Sequence, residues 1–129
     1  IDLMPTFVEV AQAEYPTEFN GHKIQPMEGR SLTPVFDTDQ QEARTLFWEH
    51  EGNRAIRDGD WKLVGLRNQA WDLYQISADR TELRNVTTRY SNKFEELKAN
   101  WNPWAYKVNV LTPAEFEQTR KNQRQKKTP

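Results

Sequence analysis

The densest grouping of reactive side chains is Glu49-His50-Glu51-Gly52-Asn53-Arg54, two carboxylates, an imidazole, an amide and a guanidinium around one glycine. An imidazole and a guanidinium hold anionic or hydroxylated ligands, and an amide hydrogen-bonds sugar hydroxyls. His50, Arg54, Asn53 and Glu51 are therefore the candidate substrate-binding residues of a recognition loop. Aromatic Phe47 and Trp48 anchor the segment behind His50. Charged residues at a turn are also ordinary solvated surface, and Arg54 has the alternative of pairing with Glu49 or Glu51 across the turn. The other histidine, His22, stands in Asn20-Gly21-His22-Lys23 and reads as a loop residue. Asp79, Glu82 and Asn85 recur every three residues in a polar segment. They suit strand termination and the entry to a helix better than a calcium cage.

Nucleophilic catalysis needs a reactive side chain beside a general base. The chain has no cysteine, no Gly-x-Ser-x-Gly elbow, no phosphate-cradling glycine loop and no His-x-x-x-His pair. Thiol chemistry, a disulfide scaffold and a cysteine-ligated zinc are thereby excluded within these residues. No catalytic residue and no metal ligand is assigned.

The elements that must carry the 49–54 cluster follow from periodicity. Residues 44–50, 53–59, 61–66 and 70–76 read as short strands. Glu51-Gly52-Asn53, Asp58-Gly59-Asp60 and Arg67-Asn68-Gln69 are the turns between them, so the four make an antiparallel meander. Trp61, Leu63 and Gly65 fall on one face of the third strand, and Trp71, Leu73 and Gln75 on one face of the fourth. Phe94, Leu97, Trp101 and Trp104 form an apolar stripe at spacings of 3, 4 and 3, the seam of a helix laid across a sheet. Ser91 is the expected cap of that helix, and Pro103 is expected to kink or restart it. Another helix is expected near Pro113. Upstream, Asp2 is the expected cap of a helix whose apolar face carries Leu3, Phe7 and Val10. Residues 15–30 read as an ordered loop, Ser31 as the cap of a short turn holding Leu32, Val35 and Phe36, and residues 37–43 as a polar linker.

The chain has 129 residues, 36% of them hydrophobic and 29% charged, with a formal net charge of −1. That length fits one domain with a modest core, and the five Trp, four Tyr and six Phe suit a small core with a polar rim. No stretch approaches the ~20 apolar residues of a membrane span. From Thr119 onward there are five basic residues and no acid, while the rest is net acidic. A solvated basic tail on an acidic body is expected, not a nucleic-acid module. The chain starts at Ile1 with no initiator Met and reads as a piece of something longer, so the missing cysteine says nothing of compartment.

Four stretches resemble the C-terminal end of a formylglycine-dependent sulfatase of the arylsulfatase type. Ile1-Asp2-Leu3-Met4-Pro5-Thr6 is similar to the Asp-x-x-Pro-Thr start of a late helix in that family's large domain. Gly29-Arg30-Ser31-Leu32-Thr33-Pro34 is similar to its Gly-x-Ser-Leu-x-Pro connection. The run from Glu49 to Val64 resembles the first hairpin of its C-terminal sheet. Trp71-Asp72-Leu73-Tyr74, with Asp79, Glu82 and Asn85, resembles its Leu-Tyr-Asp-x-x-x-Asp-Pro-x-Glu-x-Asn segment, with Arg80 where proline is usual. The likeness runs in order over roughly residues 1–108 and does not extend to the tail from Thr112.

The resemblance implies an α+β fold. A four-stranded antiparallel sheet has a C-terminal helix packed across it, preceded by a helix and long loop belonging to a missing α/β, alkaline-phosphatase-like domain. The expected division is 1–43 for the end of the large domain, 44–110 for the C-terminal subdomain and 111–129 for the polar basic tail. It further implies a parent that hydrolyses sulfate esters with calcium and a formylglycine made from Cys or Ser in Cys/Ser-x-Pro-x-Arg. No serine here stands in that motif. The fragment alone is expected to be inactive, with the missing N-terminal catalytic domain as its partner and a sulfated small molecule or carbohydrate as the parent's substrate. Family resemblance places the parent in the periplasm or outside the cell. An uncovered 1–13 helix should make the isolated chain dimerise or leave that helix mobile. The alternative is a stand-alone binding module that uses the 49–54 hairpin or the basic tail.

Overall fold

The computed structural model describes residues 1–38 and 43–126, so part of the 37–43 linker and the end of the basic tail lie outside the described residues. The chain divides into two compact units, Ile1–Glu42 and Ala43–Pro129.

In the first unit, helix α1 spans Leu3–Val10 directly after Asp2. Asp2 precedes it as expected but makes no side-chain cap, because its backbone is itself helical (φ −88°, ψ −19°) and not extended as a capping residue requires. Its carboxylate instead accepts the Arg30 N–H at 3.0 Å, binding the later loop to the helix start. Buried Thr6 does the same from one turn on. Its hydroxyl donates to the Asp2 carbonyl at 2.7 Å and accepts the Leu32 N–H at 2.9 Å. The 15–30 loop holds a small hairpin, β1 (Glu18–Phe19) and β2 (His22–Lys23), closed by Asn20-Gly21, both with positive φ. That pair is the preferred two-residue hairpin turn. A 3₁₀ turn spans Thr33–Val35, and Ser31 Oγ accepts the Thr33 N–H at 3.2 Å.

In the second unit, β3 (Thr45–His50), β4 (Asn53–Asp58), β5 (Trp61–Gly65) and β6 (Trp71–Gln75) form one antiparallel sheet in chain order. The register aligns Phe47, Ile56, Leu63 and Leu73 in a row across all four strands. Period-two alternation puts that row on one face. Helix α2, Ser91–Lys107, lies over it and buries Leu97, Trp101 and Ala105. Ile56, Leu63, Leu73 and Leu97 are 0% exposed, each worth about 1.5–3 kcal/mol of burial. Aromatic pairs fasten helix to sheet: Phe47 stacks on Trp104 at 5.0 Å, and Trp71 meets Trp101 edge-on at 5.4 Å.

Two expectations for α2 are corrected. Ser91 is its first residue, not its cap: the capping position belongs to Tyr90, with no side-chain hydrogen bond. Nor does the helix restart at Pro103, which lies inside it. Pro103 and Ala99, whose carbonyl loses its usual partner, are both exposed, so the missing bond falls on the solvent side of the helix. The helix expected near Pro113 is α3, Pro113–Lys126, 14 residues long. Thr112 and Glu115 start it as a reciprocal box: Thr112 Oγ1 accepts the Glu115 N–H, and the Glu115 carboxylate accepts the Thr112 N–H at 2.8 Å.

Candidate functional site

The 49–54 cluster is contiguous in sequence but is split by the pleat. Glu49 pairs with Arg54 and His50 with Asn53 in the β3–β4 register, so the two pairs belong to opposite faces. Glu49 and Arg54 face α2, whereas His50, Glu51 and Asn53 are exposed at the tip and on the other side.

Arg54 is held in place by its surroundings. Its guanidinium carbon lies 4.5 Å from the centre of the Trp71 ring, and Nη2 donates to the Gln69 carbonyl at 3.2 Å. Partial burial lowers its pKa from the ordinary arginine value without discharging it. The close approach depends on Gly65, where a Cβ would fall 3.0 Å from Arg54 Nε. Asn53 is bound at both ends of its amide: Nδ2 donates to the His50 carbonyl at 3.0 Å, and Oδ1 accepts the Arg67 N–H at 3.1 Å. Glu49 accepts the Gly52 N–H at 2.7 Å, and Gly52, at φ +87°, has the Arg67 side chain packed on it. The β3–β4 turn and the β5–β6 turn are thus fastened into one block. Of the four sequence-assigned residues, Asn53 and Arg54 build this block, while His50 and Glu51 project from it.

Beneath the block, on the helix side, lies a cavity of about 370 Å³. Glu49, Arg54 and Arg67 line one wall, and Trp101, Leu111 and Phe116 line the others. Arg67 joins α3 to the sheet: its guanidinium lies 5.3 Å from the Phe116 ring centre and 3.3 Å from the Glu117 carboxylate. Sequence reasoning placed Trp101 in the core stripe and Arg67 in a turn, and no pattern signalled that the two meet across a cavity. A second depression, of about 430 Å³, lies on the opposite sheet face beside Trp48, Arg57 and Arg80, with Lys62 paired to Glu82 at 2.5 Å.

Among the described residues no group of three or more His, Cys, Asp or Glu side chains is placed to hold a metal ion. Asp79, Glu82 and Asn85 have other duties. The Asp79 carboxylate accepts the Arg84 N–H at 2.8 Å, which helps hold its pKa below the usual carboxylate range, Glu82 pairs with Lys62, and Asn85 bonds to Asp72. The donor set does not fit calcium, and with no cysteine or motif serine it does not fit a formylglycine either.

The second unit is thus an α+β module: an antiparallel meander closed by one helix, with paired turns at one end. No family model matches the chain. It is 29% identical over 131 aligned positions to an uncharacterised sulfatase of Schizosaccharomyces pombe, covering 90% of this chain and 23% of that protein. It is 30% identical over 109 positions to the N-acetylglucosamine-6-O-sulfatase of Bacteroides thetaiotaomicron, covering 75% of this chain and 19% of that one. The arylsulfatase K of Xenopus laevis matches at 25% over 107 positions, 75% of this chain and 20% of its own. Among solved structures, Ps i-CgsB superposes with a TM-score of 0.60 at 25% identity, over 81% of this chain and 23% of that one. BT4656, in complex with its substrate D-glucosamine-2-N,6-O-disulfate, shares the fold with a TM-score of 0.60 at 24% identity, over 88% and 25%. The chain is a homologue of the sulfatases. It spans between about a fifth and a quarter of the length of the relatives it matches.

Proposed function

We propose that this chain is the C-terminal subdomain of a longer sulfuric ester hydrolase of arylsulfatase type, and that its own work is to shape the substrate pocket. One observation carries the reading: the sequence agrees with sulfatases, and the fold with the solved Ps i-CgsB, over most of this chain while covering only a small part of theirs. The residues for sulfur chemistry are assigned to the remainder of the parent, where a formylglycine and calcium would supply nucleophile and charge stabilisation. The N-terminal catalytic domain is the proposed partner, residues 1–43 belong with it, and the parent acts in the periplasm or outside the cell. Within this chain, the paired turns hold the hairpin tip rigid, and His50 at that tip meets the non-sulfate part of a sulfated small molecule or carbohydrate. Asn53 and Arg54 serve the same end by positioning that tip.

The encoding reading frame tests the proposal. A Cys/Ser-x-Pro-x-Arg stretch upstream, converted to formylglycine in the purified parent by mass spectrometry, is expected. A parent without that stretch overturns the reading.

A further inference from the structure

Two hairpins of this chain turn on the same two-residue geometry and are held differently. Asn20-Gly21 stands at φ +50° and +77°, and Glu51-Gly52 at +52° and +87°. Asparagine suits the first place of such a turn, whereas glutamate adopts the left-handed conformation at a cost. Nothing lies within 4 Å of where a Cβ would stand on Gly21. Gly52 is covered: a Cβ there would fall 2.9 Å from Arg67 Cγ and 3.0 Å from Arg67 Cδ. The Arg67 stem thus closes over the one residue of the tip that has no side chain. The Arg67 backbone N–H donates to Asn53 Oδ1 at 3.1 Å, and Asn53 Nδ2 donates to the His50 carbonyl at 3.0 Å. The stem is fixed at its far end, where the guanidinium lies 5.3 Å from the Phe116 ring centre and 3.3 Å from the Glu117 carboxylate. A cation within about 6 Å of a ring face is attracted to it. Contacts therefore run without a gap from α3 through Arg67 to Gly52, Asn53 and His50. A tip whose own residues suit its conformation poorly is held from outside, and such conformations persist where the surroundings over-determine them.

We propose that Arg67 is the positioning residue of the 50–53 tip and that α3 acts through it, so that a helix remote in sequence sets how firmly His50 is presented to a ligand. Arg67 acts through Gly52 and Asn53. The consequence for recognition rests on the reading of His50 as a contact to the non-sulfate part of the substrate, while the positioning itself is a property of this chain alone. A held tip loses less freedom on binding than a loose one, and the difference shows as affinity and not in the rate of the chemical step.

Backbone NMR relaxation on the full 129-residue chain tests the positioning. Residues 50–53 should be as rigid as the strands, with order parameters of about 0.85, and should fall to about 0.6 in Arg67→Ala. Arg67→Lys keeps the stem and the charge and should hold the tip close to its original order. Phe116→Leu with Glu117→Gln leaves Arg67 in place but releases its guanidinium, and should give an intermediate value. Should Arg67→Ala fail to fold by circular dichroism, that pair of substitutions, which leaves the sheet and α2 untouched, carries the same test. In the proposed parent sulfatase, Arg67→Ala should raise KM by about 3- to 10-fold, the value of one hydrogen bond, with kcat little changed. In a His50→Ala background it should add nothing to KM, because both substitutions act through one group. An unchanged tip in Arg67→Ala overturns the positioning role whatever the parent does. A tip indifferent to the Phe116 and Glu117 substitutions overturns the part given to α3. KM raised by His50→Ala but unmoved by Arg67→Ala overturns the consequence for recognition. KM unmoved by both overturns the role given to His50 and that consequence with it, and the positioning is then decided by the relaxation data.

Discussion

Replacing Arg54 by alanine should destabilise the second unit by about 2 kcal/mol, while replacing His50, four residues away on the other face, should cost almost nothing. The magnitude for Arg54 follows from its contacts. The guanidinium on Trp71, at 4.5 Å and half-buried, is worth about 0.5–1 kcal/mol. The hydrogen bond from a charged donor to the Gln69 carbonyl at 3.2 Å adds about 1 kcal/mol. The 3.5 Å approach to the Gly52 carbonyl is too long to count. Loss of the aliphatic stem over the strand adds a few tenths more. For a unit of this size, 2 kcal/mol lowers the melting temperature by on the order of 10 °C. Arg54→Lys keeps the charge but not the flat, forked donor, and should recover less than half of the loss. His50→Ala, at an exposed strand end, should stay within about 0.5 kcal/mol of the parent sequence. Thermal unfolding by circular dichroism gives the values, with the near-ultraviolet signal reporting the packed aromatic side chains together. Arg54→Ala melting with the unsubstituted chain, or His50→Ala costing as much as Arg54→Ala, refutes the positioning role given to Arg54.

Asp60 takes the Ser77 N–H and hydroxyl at 2.6 and 2.7 Å, and these bonds hold its pKa below the usual carboxylate range. A folded pKa below the unfolded one stabilises above the ordinary carboxylate pKa and is lost as pH falls through the folded value, below about pH 4. Asp60→Asn should therefore be less stable than the unsubstituted chain at pH 7, and the difference should shrink as pH falls below the ordinary carboxylate range, read by denaturant unfolding. Leu3, Phe7 and Val10 of α1 are 65%, 62% and 64% exposed, so the isolated chain should self-associate in sedimentation or exchange its α1 amides rapidly. A monomer with a firmly protected α1 contradicts this. In the proposed parent sulfatase, His50→Ala should raise KM on the proposed sulfated substrate with little change in kcat, as expected of a group that binds ground and transition states alike. An equal fall in kcat on the natural substrate and on a minimal aryl sulfate contradicts the recognition role.

The sheet was legible because its strands are short runs rich in β-forming residues and its turns carry the residues those turns need. Gly52 and Gly59 stand where φ is positive, and each of the four strands β3 to β6 lies within a residue of its expected bounds, whereas the small hairpin of β1 and β2 falls in a segment read as a loop. The stripe from Phe94 to Trp104 marked the covering helix for the same reason, since only one face of it meets the sheet. Proline and serine misled at α2 because their effects depend on exposure and backbone conformation, which spacing does not carry. A carbonyl released on the solvent side lets Pro103 stay inside the helix. The candidate site was harder. Five polar residues around one glycine look like one cluster, but strand alternation sends Glu49 and Arg54 to one side and His50 and Asn53 to the other. What fastens them comes from residues distant in sequence, Arg67, Gln69 and Trp71. The cavity needs Trp101 of α2 and Phe116 of α3 as well, which no local signal places together.

The central claim is that the sulfur chemistry belongs to the parent enzyme and not to these residues. Sulfate release from an aryl sulfate, followed by ion chromatography in calcium-containing buffer, tests it most directly with the purified 129-residue chain beside the full-length parent. Calcium-dependent release by the parent and none by the isolated chain is the expected result. Release by the isolated chain, or a parent that releases no sulfate from aryl and carbohydrate sulfates alike, contradicts it.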